Sequence, residues 1–223
     1  MIPDKATATP HAIYNLVILD ESGSMQSIKQ STIEGFNEIV QTIVGAEAQY
    51  PEQRHFVSLT TFNGLGIKTL LYNNPIASLQ LLNDQLYQPN ASTPLYDAIG
   101  QSVLRLKNDL STHTDYNVLV TIITDGEENA SKEFSRKAIN ELITELQATG
   151  KWTFTYIGAN QNVEQVSRDM GVPNYLVYNS NIEETEAMFR KEKMSRASYY
   201  NKVSKKQSVK EDYFNEDKDN EKV

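Results

Sequence analysis

Ile13-Tyr14-Asn15-Leu16-Val17-Ile18-Leu19-Asp20-Glu21-Ser22-Gly23-Ser24 is the stretch that decides how this chain folds. Residues 13–19 are a short apolar run that stops at an acid, the pattern of a strand buried on both faces. Strands of that kind belong to parallel α/β sheets, whose ligand sites lie just past the carboxyl ends of the strands. At that place this chain carries a carboxylate, two hydroxyls two residues apart, and a glycine. Hard oxygen donors of this type suit a Mg²⁺-like cation. A plainer alternative stands beside that reading: a strand end followed by a polar turn, with Ser24 or Ser27 capping the next helix.

Working outward, apolar runs alternate with amphipathic stretches, which predicts α/β units. A helix is expected over 26–47, with Ile33, Phe36, Ile39, Val40, Ile43 and Val44 on one stripe. A strand over 55–62, the turn Asn63-Gly64-Leu65-Gly66 and a returning strand over 68–72 read as a hairpin. Further helices are expected over 96–110, 134–149, 162–170 and 182–200. Strands are expected over 117–124, 152–157 and 175–178. In the helix over 134–149, Phe134, Ala138, Leu142 and Leu146 are assigned to the inward face. The expected fold is a doubly wound, mostly parallel six-stranded sheet with one antiparallel edge strand and helices on both faces. The expected organisation is an N-terminal extension over 1–11, one domain over 12–200, and a charged, flexible tail over 201–223.

Composition narrows the function. The chain of 223 residues is long enough for one sizeable core, and its mean hydropathy of −0.50 is that of a polar, water-compatible protein. No apolar stretch reaches bilayer length, and residues 1–5 do not read as a secretory leader, so a cytoplasmic protein is expected. Cysteine is absent, and His11, His55 and His113 are far apart, which argues against zinc and against a histidine-based triad. The histidines are expected to be ordinary surface or strand-edge residues. Net charge is −8, yet residues 190–210 are strongly basic, so the body of the chain is more acidic than the sum suggests. That excludes nucleic acid as the natural partner.

A second strand, over 117–124, also ends in an acid, Asp125, followed by Gly126. Between the two acids in sequence, Ser92-Thr93-Pro94-Leu95 opens a helix with a hydroxyl. If the two strands are neighbours, two carboxylates and three hydroxyls converge at one switch point. Carboxylates held close repel each other unless a positive charge lies between them. A divalent cation meets that need. Taken singly, Thr93 reads equally well as a helix cap and Asp125-Gly126 as a turn. Asp97 reads as a helix-dipole partner, and Glu127 and Glu128 as solvated charges.

The set Asp20-x-Ser22-x-Ser24, Thr93 and Asp125-Gly126 resembles the metal-ion-dependent adhesion site of the von Willebrand factor A family, over roughly residues 12–180. Residues 92–99 resemble the threonine segment of stand-alone bacterial members. The resemblance implies that Ser22 and Ser24 give hydroxyl oxygens to the cation and that Thr93 does so directly or through water. It also implies that Asp20 and Asp125 hold the ion through waters. The implied ion is Mg²⁺, with Mn²⁺ or Ca²⁺ as alternatives. The implied partner is a protein that offers Glu or Asp to the metal, in an assembly that can include an ATPase. Thr60-Thr61-Phe62-Asn63 departs from many members, which carry an acid there, and this disfavours a second cation site.

Enzyme readings lack residues. A phosphatase using Asp20 would need a second acid two residues on, where Ser22 stands. No GxxxxGK[ST] loop is present. The expectation is a non-catalytic binding module. The alternatives are a structural or regulatory subunit whose cation only stabilises the fold, or a metal-dependent phosphoester hydrolase.

Overall fold

The computed structural model describes residues 10–159, 162–210 and 212–214. In chain order the strands are β1 (His11–Asp20), β2 (Gln53–Asn63), β3 (Gly66–Pro75), β4 (Tyr116–Thr124), β5 (Trp152–Ala159) and β6 (Asn174–Tyr178). The helices are α1 (Lys29–Gln49), α2 (Leu95–Asp109), α3 (Arg136–Ala148), α4 (Val163–Asp169) and α5 (Ile182–Ser204). The strands form one six-stranded sheet in the order β3-β2-β1-β4-β5-β6. β3 runs antiparallel to β2, and the other pairings are parallel. Strand order reverses at β1, so β1 and β4 are neighbours. Their register pairs Ile18 with Ile122 and Leu19 with Ile123. The next step brings Asp20 level with Thr124.

Side chains alternate across the pleat, and the two faces bury different helices. Ile13, Val17 and Leu19 of β1 pack with Ile33, Phe36, Ile39 and Ile43 of α1 and with Met188, Phe189 and Tyr199 of α5. Tyr14, Leu16 and Ile18 pack on the opposite face with Leu95, Ile99 and Val103 of α2, Ile139 and Ile143 of α3, and Val163 of α4. α1 and α5 approach closely because Gly35 has no side chain. A Cβ there would lie 2.1 Å from the Phe189 ring.

Several expectations need correction. The first helix is two elements, a 3-10 turn over Gly23–Ile28 and then α1, which passes Gly45 and stops before Pro51. Ala138 is exposed. Ser135 N-caps α3, so Phe134 lies just outside the helix, and the buried stripe is Ile139, Leu142, Ile143 and Leu146. His55 is not a surface residue: it is fully buried, donating from Nε2 to Gln53 Oε1 at 3.1 Å and meeting the Tyr200 ring edge-on. The boundary expected at 200 falls inside α5. Beyond that helix Val209, Tyr213 and Phe214 are buried in the core on the α1/α5 face. The Val209 carbonyl accepts from Thr153 Oγ1 at 2.9 Å, and the Tyr213 N–H donates to Asn174 Oδ1 at 3.1 Å. Positions 211 and 215–223 of the expected tail, and residues 1–9 of the expected extension, lie outside the described residues.

Under α5 sits a buried polar network. Arg196 and Glu192 are both fully buried and paired at 2.7 Å. Arg196 also donates to Asn15 Oδ1 on β1 at 3.1 Å and to Thr121 Oγ1 on β4 at 2.7 Å. Among the described residues no helix is long and apolar enough to cross a membrane.

Candidate metal centre

β1 delivers Asp20 to the carboxyl edge of the sheet with no exposed surface. Its Oδ1 accepts the Ser22 N–H at 2.7 Å. This Asx turn bends the chain out of the strand. Its Oδ2 accepts the Thr124 hydroxyl at 2.5 Å, as the β1–β4 register requires. Tyr87 holds the Asp20 carbonyl at 2.6 Å from below. The 3-10 turn then places Ser24 Oγ 3.1 Å from Ser22 Oγ.

Glu21, between the first two donors, faces away from them. It is fully buried, paired with Lys68 Nζ at 3.2 Å, and accepts the Gln88 N–H at 2.7 Å. Its backbone N–H donates to Phe62 at 2.8 Å, and its carbonyl accepts from Asn90 at 2.8 Å. Glu21 therefore fastens the β2–β3 hairpin and the loop before α2 to the serine motif.

Thr93 is 3% exposed. Asn129 grips its backbone on both sides: the Thr93 N–H donates to Asn129 Oδ1 at 2.9 Å, and the Asn129 N–H donates to the Thr93 carbonyl at 3.2 Å. Thr93 is not the helix cap. α2 is N-capped at Pro94 without a side-chain bond. Its first N–H groups are met by Glu128 Oε2, at 3.0 Å from Tyr96 N, and by Ser131 Oγ, at 3.1 Å from Asp97 N. Glu128 is thus an internal clamp and not a solvated charge. Asp97 is another, accepting the N–H groups of Lys132, Glu133 and Phe134 at 2.7, 2.9 and 2.8 Å. Together they hold the loop after β4, which carries Asp125.

Asp125 is 4% exposed. Its Oδ1 accepts the Ser24 hydroxyl at 2.5 Å and its Oδ2 the Ser180 hydroxyl at 2.9 Å. All five residues singled out in the sequence, Asp20, Ser22, Ser24, Thr93 and Asp125, therefore meet at one point. A Cβ built on Gly126 would lie 3.1 Å from Thr93 Oγ1, 3.4 Å from Ser24 Oγ and 3.7 Å from Asp20 Oδ2, so the glycine leaves a cradle between their oxygens. Thr124 and Ser180 were not singled out beforehand. The register of two paired strands would have pointed to Thr124. No local signal marks Ser180, which reaches the site from the loop between β6 and α5.

No ion pair reaches Asp20 or Asp125 among the described residues. Burial lifts the Asp20 carboxyl to about 6, against the pull of the Thr124 and Ser22 hydrogen bonds and with a push from the Asp125 charge. Burial, with the Asp20 and Asp125 charges, also raises the Tyr87 and Tyr178 phenols well above their ordinary value. The site is an electrostatic debt without a positive partner. No group of three or more His, Cys, Asp or Glu that could hold a metal occurs among the described residues. Any cation here must use hydroxyls, and the cradle supplies them. An all-oxygen set of two acids and three hydroxyls fits a hard divalent ion and not a soft one.

No family model matches this sequence, and a comparison with curated proteins gives no match. Solved structures do match. The ArnB paralog VWA2 from Sulfolobus acidocaldarius is 15% identical with a TM-score of 0.53, covering 83% of this chain and 46% of that one. The SpRpn10 VWA domain is 10% identical with a TM-score of 0.54, covering 80% of this chain and 93% of that one. The pilus adhesin SpaC from Lactobacillus rhamnosus GG is 12% identical with a TM-score of 0.60, covering 87% of this chain and 31% of that one. This chain thus spans less than half of the Sulfolobus protein, whereas it matches the SpRpn10 domain over nearly its whole length. Strand order, the single antiparallel edge and these neighbours agree that the chain has the fold of the von Willebrand factor A domains.

Proposed function

We propose that this chain is a non-catalytic protein-binding module that uses a divalent cation, Mg²⁺, to coordinate a Glu or Asp carboxylate of a partner protein. The observation that carries the reading is the meeting of Asp20, Ser22, Ser24, Thr93 and Asp125 around the Gly126 cradle, with no basic side chain among the described residues paired to either Asp20 or Asp125. Ser22, Ser24 and Thr93 would give neutral oxygens to the ion, and Asp20 and Asp125 would hold its waters. When bound, the cation supplies a Lewis-acidic position open to one more oxygen ligand. Because the nearest donors are neutral, much of its charge stays available to an incoming carboxylate. Hydroxyls hold both acids in place, so they do not swing across and fill that position themselves.

The same residues argue against hydrolysis. A hydrolase would be helped by a general base beyond the ligands themselves, and the histidines do not supply one. His11 begins β1, His55 pairs in register with Ile13, and His113 precedes β4, so all three lie toward the opposite edge of the sheet. The two phenols nearest the acids are held protonated. The proposed setting is the cytoplasm, in a multi-protein assembly that can include an ATPase.

The test is affinity purification from the native lysate in Mg²⁺ and in chelator, with wild type and Asp20→Ala. A partner set that depends on Mg²⁺ and is lost in the folded Asp20→Ala protein is the expected result. Identical recovery with and without chelator refutes it. Turnover of p-nitrophenyl phosphate that disappears in Asp125→Ala would restore the hydrolase reading.

A further inference from the structure

Each of the four oxygens on Asp20 and Asp125 accepts one hydrogen bond. Two of these bonds come from the serine motif itself, through Ser22 N–H and Ser24 Oγ. The other two come from outside it, through Thr124 Oγ1 at 2.5 Å and Ser180 Oγ at 2.9 Å. We propose that Thr124 and Ser180 are positioning residues of the cation site, each fixing the far oxygen of one acid before the ion arrives. This rests on the cation-binding reading above.

The surroundings of both hydroxyls favour that role over a local structural one. Ser180 stands between two residues that build the start of α5. Asn181 caps the helix by accepting the Glu184 N–H at 3.0 Å, and Asn179 bonds the Glu184 carboxylate at 2.7 Å. Ser180 takes no part in that cap, and its hydroxyl turns to Asp125. Thr124 accepts the Gly126 N–H at 3.1 Å while it donates to Asp20, so one hydroxyl sets both the first acid and the turn that carries the second. With both oxygens tied, each carboxylate plane is fixed and one lone pair per oxygen stays free for a water on the ion. Binding then need not order two acids, which is how partners behind a metal's ligands raise affinity.

The experiment is Mn²⁺ titration followed by the electron paramagnetic resonance signal of the free ion, with melting in chelator as a control for the fold. Ser180→Ala and Thr124→Val are expected to bind Mn²⁺ about 10- to 100-fold more weakly than wild type. Ser180→Thr and Thr124→Ser, which keep the hydroxyl, are expected to restore binding and to melt with wild type in chelator, as is Ser180→Ala, while Thr124→Val, which also strips the Gly126 N–H of its acceptor, should melt lower. Wild-type Mn²⁺ affinity in Ser180→Ala and Thr124→Val overturns the proposal. So does a loss that tracks a fall in melting in chelator and is not restored by the hydroxyl-keeping variants. Failure of the underlying reading looks different: wild type and Ser22→Ala would then show the same Mn²⁺ affinity, or none.

Discussion

Replacing Gly126 by alanine should switch off cation binding and leave the fold in place. Gly126 is not among the residues with positive φ, so its backbone accepts a side chain. The new methyl would face Thr93 Oγ1 at 3.1 Å, Ser24 Oγ at 3.4 Å and Asp20 Oδ2 at 3.7 Å. Only the first two contacts are tight, and both are to side-chain hydroxyls that can give a few tenths of an ångström. That cost is about 1 kcal/mol, at the mild end of overpacking. It is offset by the 0.4 to 1 kcal/mol, roughly, that alanine removes from the entropy of the unfolded chain. Without cation the variant should therefore melt within a few degrees of wild type. The cradle, however, is filled. In wild type, Mg²⁺ at about 100 times its dissociation constant should stabilise the fold by about 2.7 kcal/mol. For a domain of this size that is roughly 5–10 °C in melting temperature. Differential scanning calorimetry in chelator and in Mg²⁺ gives both numbers for both proteins. A Gly126→Ala protein that still gains the full Mg²⁺ shift would refute the placement of the ion. A variant that melts far below wild type in chelator would show that the cradle is packed structure instead.

Two further outcomes concern the scaffold. Arg196→Met strands the buried Glu192 carboxylate and should cost about 3–5 kcal/mol, whereas Glu192→Leu with Arg196→Met should be near neutral or stabilising; urea unfolding of the single and double variants decides, and a single variant as stable as the double sinks the account. Burial, aided by the Arg196 charge, lowers the His55 imidazole from 6.5 to about 3. A base with a depressed folded value stabilises fully above its unfolded value and loses that contribution as pH falls. Between pH 6.5 and 4.5 wild type should lose about 2 kcal/mol through this group. His55→Gln should flatten that limb, and equal slopes in the two proteins would count against it.

The parts of this fold legible in the sequence are those written locally. Strand ends at Asp20 and at Thr124 follow from apolar runs that stop at polar residues, and the α1 stripe follows from its period. The convergence of Asp20, Ser22, Ser24, Thr93 and Asp125 was legible because the edge of a parallel sheet turns strand ends into neighbours. What escaped is held by contacts between distant segments. Asp97 and Glu128 look like surface acids until α2 and the loop after β4 are placed together. Ser180 resembles any loop serine, since its partner is 55 positions away. The charged stretch after α5 hides Val209, Tyr213 and Phe214, three buried residues too few to form a periodic signal. His55 and Arg196 read as polar positions because nothing local announces that each will be enclosed with its partners.

β1 receives its two neighbours at different times on a growing chain. β2 follows it after a single helix, but β4 is not complete until residue 124. Until then the β4-facing side of β1, with Leu16, Val17 and Ile18 along it, is an open sheet edge. Such an edge recruits other nascent chains as readily as its own missing strand. The arrival of β4 seals that edge and, in the same movement, sets Asp125 beside Asp20. On the proposed function, a cation bound there would recognise only molecules that have already passed their period of greatest risk. Loading with metal would therefore select chains with a finished sheet, and a partner that needs the metal would be shielded from half-made ones.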